Sequence, residues 1–130
     1  MTRIVVDASA LAALVFHEPD ADRIARRLER ASIAAPTLLK FELANVAWKK
    51  MRRSSPAEAA TVLQNFGDGL DLGRQIAFHD VSHTDAVLIA REAGVSTYDA
   101  SYVWLAGWLG ADLVTLDRRL EAAVLAFSHL

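Results

Sequence analysis

Short apolar runs that stop abruptly at a polar residue alternate with longer stretches in which apolar residues recur every three or four positions. Ile4-Val5-Val6 is β-branched and unbroken and ends at Asp7, which predicts a strand buried in a parallel sheet. The Ala/Leu-rich stretch Ala8 to Phe16 predicts a helix ending near Glu18-Pro19. A second helix, from about Asp20 to Ala31, puts Ile24 and Leu28 on one face; Arg23, Arg26, Arg27 and Arg30 share the other side, a solvated face with Asp22 and Glu29 among them to pair. Ile33-Ala34-Ala35 is a short strand stopped by Pro36. Thr37 can cap the next helix, which carries Leu38, Phe41, Val46 and Trp48 and ends in Lys49-Lys50-Met51-Arg52-Arg53. Cations in a last turn complement the helix dipole.

Ser55-Pro56-Ala57-Glu58 places a cap residue, a proline at the first helical position and a glutamate three after the cap. That helix runs toward Gly67 or Gly69, and Gly67, Gly69 and Gly73 read as helix-termination and turn residues. A strand follows at Gln75 to His79. Ser82-His83-Thr84-Asp85 resembles a capping box opening a helix that ends at Gly94. Asp99 to Leu109 is a further helix, Leu113-Val114-Thr115 a strand, and Asp117 to about Phe127 the last helix. Strands alternating with helices imply right-handed crossovers and a parallel sheet covered on both faces.

Composition narrows the chemistry. The 130 residues are 53% hydrophobic and contain no cysteine, enough for one self-sufficient domain over residues 1–130 and incompatible with disulfide frameworks, thiolate zinc sites or cysteine nucleophiles. Net charge is −2, so any nucleic-acid contact must come from a local basic patch. No apolar run approaches the roughly 20 residues of a membrane helix, and Ile4-Val5-Val6 is too short for a signal-peptide core; the expected location is the cytoplasm, with no membrane partner.

The carboxylates fall at telling places. Asp7 lies just past the first strand, Asp99 opens a helix, and Asp117 follows the strand ending at Thr115. In an open parallel sheet, sites form beyond the carboxyl ends of strands. Glu42 sits among Leu38, Leu39, Phe41, Leu43, Ala44, Val46 and Ala47, where an acid needs a reason. Singly, an aspartate at a helix start is ordinarily a cap or dipole partner. Together, converging carboxylates repel and would raise at least one pKa. A hard divalent cation removes that cost, and Mg²⁺ or Mn²⁺ takes oxygen ligands while keeping several waters.

Asp7-Ala8-Ser9-Ala10 after an N-terminal strand resembles the opening motif of PIN domains, and more narrowly of VapC-type toxins. Glu42 matches the second acid of that pattern, Tyr98-Asp99-Ala100-Ser101-Tyr102 with Leu105-Ala106 the third, and Leu113-Val114-Thr115-Leu116-Asp117 the fourth, with its Thr-x-Asp signature. The resemblance spans nearly the whole chain and is weakest between Lys49 and Val81. It implies a three-layer α/β/α sandwich around a short parallel sheet. Asp7, Glu42, Asp99 and Asp117 would then be the catalytic and metal-binding acids, with Ser9 and Thr115 supporting them. The implied activity is that of an endoribonuclease hydrolysing RNA with a water activated by Mg²⁺ or Mn²⁺. A homodimer silenced by a small cognate VapB-like antitoxin is implied too.

Other features are weighed beside these. Lys49, Lys50, Arg52 and Arg53 are candidate RNA contacts or simply a solvated helix end. Tyr102, Trp104 and Trp108 could stack bases, but their helical spacing suits core or dimer packing. His79 and His83 are four apart, yet the turn signal between them argues against a shared metal. The glycines lack the context of a phosphate-binding loop. A catalytically silent PIN-like module that binds RNA or protein is the alternative, disfavoured because all four acids are present. A phosphoacceptor domain is disfavoured because Asp7 stands alone and no lysine follows Lys50.

Overall fold

The first apolar run forms strand β1 (Arg3–Val6), in which Ile4, Val5 and Val6 are all buried. A strand without a polar face belongs in the interior of a sheet. In a computed structural model that describes residues 2–127, β1 is flanked by β2 (Ser32–Pro36) and β4 (Asp112–Val114), with β3 (Ile76–His79) beyond β2. The order is β3-β2-β1-β4 and every pairing is parallel. The chain thus steps outward from β1 through β2 to β3, then returns to the other side of β1. The reversal lies between β1 and β4, and such a switch point opens a crevice at the carboxyl ends of the strands.

Seven helices complete the α/β/α sandwich among the described residues: α1 (Ala8–Val15), α2 (Ala21–Leu28), α3 (Leu39–Arg52), α4 (Pro56–Leu72), α5 (His83–Ala93), α6 (Thr97–Leu109) and α7 (Arg118–Phe127). Helix α6 packs on β1, β2 and β4 and is flanked by α5 and α7, while α1 packs against α2, α3 and α4. Val5, Val6, Leu39, Leu43, Tyr102, Leu105 and Leu120 belong to one buried cluster. No helix is long and apolar enough to cross a membrane among the described residues.

Several local expectations are corrected. Helix α2 ends at Leu28, three residues short of Ala31, and Arg30 takes a left-handed φ of 59° before β2. Arg23 pairs with Asp20, three residues away, at 3.0 Å; neither Asp22 nor Glu29 is its partner. Thr37 does not cap α3: the capping position is Leu38, without a side-chain bond. Phe41 and Trp48 do not face the core but are 84% and 55% exposed; Leu39, Leu43 and Ala47 are the buried positions of that helix. Strand β4 ends at Val114, and α7 starts at Arg118, after Asp117. Ser96, not Asp99, caps α6, accepting from the Asp99 N–H at 3.0 Å.

Gly73 closes α4 as its C-cap, but Gly67 and Gly69 do not end the helix. The Ser55/Glu58 capping box forms as expected, but α4 continues to Leu72, past both Gly67 and Gly69. Gly69 is there for packing: a Cβ on it would stand 2.7 and 2.8 Å from the two γ-methyls of Val15 on α1. Val15 is buried and β-branched, so it has little freedom to move aside. Gly69→Ala is therefore expected to destabilise the protein despite the alanine's helix propensity of about 1 kcal/mol, because overpacking costs roughly 1–3 kcal/mol. In a Val15→Ala background the same change is expected to be neutral or stabilising. Thermal melts of the four proteins check this; an equal effect in both backgrounds contradicts the close-approach explanation.

Candidate active site

The crevice at the β1/β4 switch point is stitched together by side chains. Asp7 follows β1 and caps α1, its Oδ1 accepting from the Ala10 N–H at 3.0 Å and from the Ser9 hydroxyl at 2.8 Å. Its Oδ2 accepts from the Thr115 hydroxyl at 2.5 Å. Each hydroxyl also accepts: Ser9 Oγ from the Leu116 N–H at 2.9 Å, Thr115 Oγ1 from the Asp117 N–H at 3.0 Å. Both hydroxyl protons go to Asp7, so the 3.2 Å approach of Ser9 Oγ to Thr115 Oγ1 has no proton left of its own. The two hydroxyls thus convert backbone N–H groups of the loop after β4 into donors aimed at a carboxylate after β1. Asp117 in turn caps α7, its Oδ1 accepting from Arg119 N–H at 2.9 Å and Leu120 N–H at 3.4 Å.

Glu42 enters from α3. Its Oε1 accepts from the Tyr102 hydroxyl at 2.5 Å, and Tyr102, on α6, is almost fully buried. Burial, with Glu42 and its neighbouring acids next, pushes the Tyr102 hydroxyl far above its ordinary pKa, so it remains a proton donor. Asp99 lies one turn earlier on α6, and among the described residues no hydrogen-bond donor holds its carboxylate.

The acids feel one another. Desolvation first, then the charge of Asp117, raises the Asp7 carboxyl, against the lowering effect of its hydrogen bonds from Thr115, Ala10 and Ser9. Glu42 is raised by burial and by the charges of Asp99 and Asp7, the Tyr102 bond opposing. Asp99 is raised by burial, Asp117 and Asp7, with Arg119 opposing. Four segments distant in sequence thus contribute carboxylates to one electrostatic field. Among the described residues no three His, Cys, Asp or Glu side chains are already drawn into a single metal-ligand set.

The remaining candidates separate. Lys50 is tied to Glu18 at 2.9 Å and sits over the Phe16 ring, whereas Lys49, Arg52 and Arg53 are exposed. His79 ends β3 and His83 opens α5, so they share no helical face. Trp104 donates to Asp85 at 3.0 Å and stacks on Trp108, with no hydrogen bond to Asp7, Glu42, Asp99 or Asp117. Two residues were missed by sequence reasoning. Tyr102, taken for a packing aromatic, is the donor to Glu42; the signal was a hydroxyl on an otherwise apolar stretch three residues after Asp99. Arg119, unnoticed, is the cation near Asp99, and its position two after Asp117 gave the only hint.

A family model described as the PIN domain matches residues 4–124; the chain belongs to the PIN-domain family. Ribonuclease VapC3 of Pyrobaculum aerophilum is 36% identical over 121 residues, which cover 91% of this chain and 92% of the relative. Exonuclease VapC9 of the same organism is 34% identical over 120 residues, 91% and 83% of the two chains. The crystal structure of PAE2754 from Pyrobaculum aerophilum matches with a TM-score of 0.74 and 28% identity, covering 97% of this chain and 93% of that one. The Mycobacterium tuberculosis sarcin-ricin loop cleaving toxin VapC20, at 16% identity and a TM-score of 0.63 over 92% and 94% of the chains, shares the fold.

Raised carboxyl pKa values carry a stability cost. Well below the ordinary carboxylate range both native and unfolded chains are protonated and there is no penalty. As pH rises from that range through the raised values, the native state holds its protons longer and loses stability relative to the unfolded chain. Asp99→Asn removes one charge without orphaning a donor. Because Asp99 is only part-buried, solvent screening keeps the gain below about 1 kcal/mol. The expected result in chelator at pH 7 is a Tm higher by about 1–3 °C, with the gain gone below about pH 3.5. A lower Tm at pH 7 contradicts the mutual repulsion.

Proposed function

We propose that the protein is a Mg²⁺- or Mn²⁺-dependent endoribonuclease that acts as the toxin of a VapBC-type toxin–antitoxin pair. The observation that carries the nuclease reading is the convergence of Asp7, Glu42, Asp99 and Asp117 at one switch point, where the Asp7, Glu42 and Asp99 carboxyls are each raised by burial and by the charge of at least one of the others. The donor set is oxygen only, which suits a hard cation rather than a thiolate- or imidazole-seeking one. An ion of that kind keeps much of its water and needs only one or two carboxylates directly, so an unclosed ligand set fits it. Asp7, Glu42, Asp99 and Asp117 would hold it; when bound, it supplies positive charge to a phosphodiester and a more acidic water.

The chain's own residues do the rest. Ser9 and Thr115 fix both oxygens of Asp7, so the carboxylate keeps one orientation as substrate enters. Tyr102 does the same for Glu42. Asp99, whose carboxylate has no hydrogen-bond donor among the described residues, would take the proton of the attacking water as its oxygen bonds to phosphorus, and that proton then goes to the leaving oxygen as its P–O bond breaks. Arg119 supplies a cation beside it that can meet a phosphate oxygen.

The toxin role, the small VapB-like antitoxin and the RNA substrate rest on the names of the VapC relatives. A homodimer belongs to the same reading, and the exposed Val87, Leu88 and Trp108 offer apolar surface for one. One relative named an exonuclease favours a second reading, attack from chain ends.

Incubation of purified protein with linear and circular single-stranded RNA distinguishes these. Cleavage of both in Mn²⁺ or Mg²⁺, abolished by EDTA and reduced at least about 100-fold in Asp7→Asn and Asp99→Asn, is expected. Cleavage of the linear form alone selects the exonuclease, and metal-independent cleavage or full activity in both variants sinks the mechanism. For the toxin role, growth arrest on expression, relieved by co-expressing a small protein encoded beside it, is expected; unaltered growth with active enzyme contradicts it.

A further inference from the structure

The outward face of α3 is unusual for a helix that also buries Leu39, Leu43 and Ala47. Phe41 and Trp48 are exposed on it. At about 100° per residue, positions 41, 45, 48 and 52 fall within about 60° of arc, a stripe about 16 Å long at 1.5 Å per residue. Arg52 ends that stripe, its guanidinium 4.7 Å from the Trp48 ring centroid. A second row, Glu42, Lys49 and Arg53, runs beside it at the same pitch. One end of the double row is therefore Glu42 and the acidic crevice; the other is Arg52 and Arg53. Glu42 is the only acid in α3, against Lys40, Lys49, Lys50, Arg52 and, just past its end, Arg53. Lys50 alone of these cations has a carboxylate partner within salt-bridge reach among the described residues.

Exposed aromatics interleaved with cations that have no carboxylate partner among the described residues match the two requirements of single-stranded nucleic-acid binding: surfaces for bases to stack on, and charge tracking the phosphates. Guanidinium planes stack bases as well. A second copy of this chain seated on the same ridge would set two faces with an excess of cations together, a net like-charge contact that disfavours such an interface. We propose that the exposed ridge Phe41–Trp48–Arg52, with Lys49 and Arg53 beside it, is a track for single-stranded RNA that leads the strand into the acidic crevice at Glu42. This rests on the ribonuclease reading above for the identity of the nucleic acid.

The test is fluorescence anisotropy with a labelled single-stranded 12-nucleotide RNA in EDTA, its integrity checked on a gel, so that binding is read without turnover. Trp48→Ala is expected to weaken binding about 10-fold, the loss of one stacked base, and Trp48→Phe to restore most of it. Lys49→Ala and Arg52→Ala are each expected to lower the slope of log affinity against log salt by about 0.7. Arg91→Ala, an exposed cation on α5, is the off-ridge comparison and should leave the slope near that of wild type. Circular dichroism melts establish that each variant is folded. Wild-type affinity in Trp48→Ala, or as large a change in slope from Arg91→Ala as from Arg52→Ala, overturns the track. So does a shift of Trp48→Ala from dimer to monomer in sedimentation with unchanged RNA affinity, which would make the ridge a protein interface. Failure of RNA cleavage in Mn²⁺ sinks the nuclease reading separately, since the EDTA titration reports on the ridge alone.

Discussion

Holding several carboxylates in one partly buried crevice works against folding, and the local structure around Asp7 is arranged to bear it. Asp7 is the most buried of the acids. Its charge is met by three donors, and two of them, the Ser9 and Thr115 hydroxyls, are held by N–H groups of the loop after β4. The arrangement needs β1 and β4 side by side with their ends level, which the parallel register Val6↔Val114 provides. The sheet order, the placement of α1 and α7 by aspartate caps and the orientation of the acids are thus one set of interactions. The capping role and the proposed ligand role of Asp7 are compatible, because its three donors take both sites of Oδ1 and one of Oδ2 and leave a site on Oδ2 unused.

The second half of the crevice is built differently. Glu42 and Asp99 come from helices, and the link between α3 and α6 is the Tyr102–Glu42 hydrogen bond across the top of the core. A buried tyrosine hydroxyl requires a partner, so Tyr102 fixes Glu42 while Glu42 satisfies Tyr102. Asp99 has no such donor to its carboxylate among the described residues.

Much of this was legible in the sequence, and the reasons for the exceptions are physical. The strands of the inner sheet are continuous apolar runs, the strongest local signal, and the acids that follow them lie where a parallel sheet must open. Which stripe of α3 faces inward was not legible, because apolar residues occur on every side of that helix; only packing against α4 and α1 decides it. Gly69 was misread because a glycine that ends a helix and one that admits a neighbouring helix look alike until Val15 is placed against it. Tyr102 and Arg119 were missed because the acids they meet, Glu42 and Asp99, lie far from them in the sequence, and their own neighbourhoods carry only weak hints.

The proposed site for a hard divalent ion depends on these carboxylates acting together, with Asp7 oriented through Thr115. Titration of the purified protein with Mn²⁺, following free ion by electron paramagnetic resonance, addresses it without reference to turnover. Wild-type protein should take up Mn²⁺ saturably, Asp7→Asn should lose that uptake, and Thr115→Val, which leaves every carboxylate in place, should weaken it by about 10-fold or more as outer-shell changes do. Equal uptake by wild type and Asp7→Asn would contradict the account.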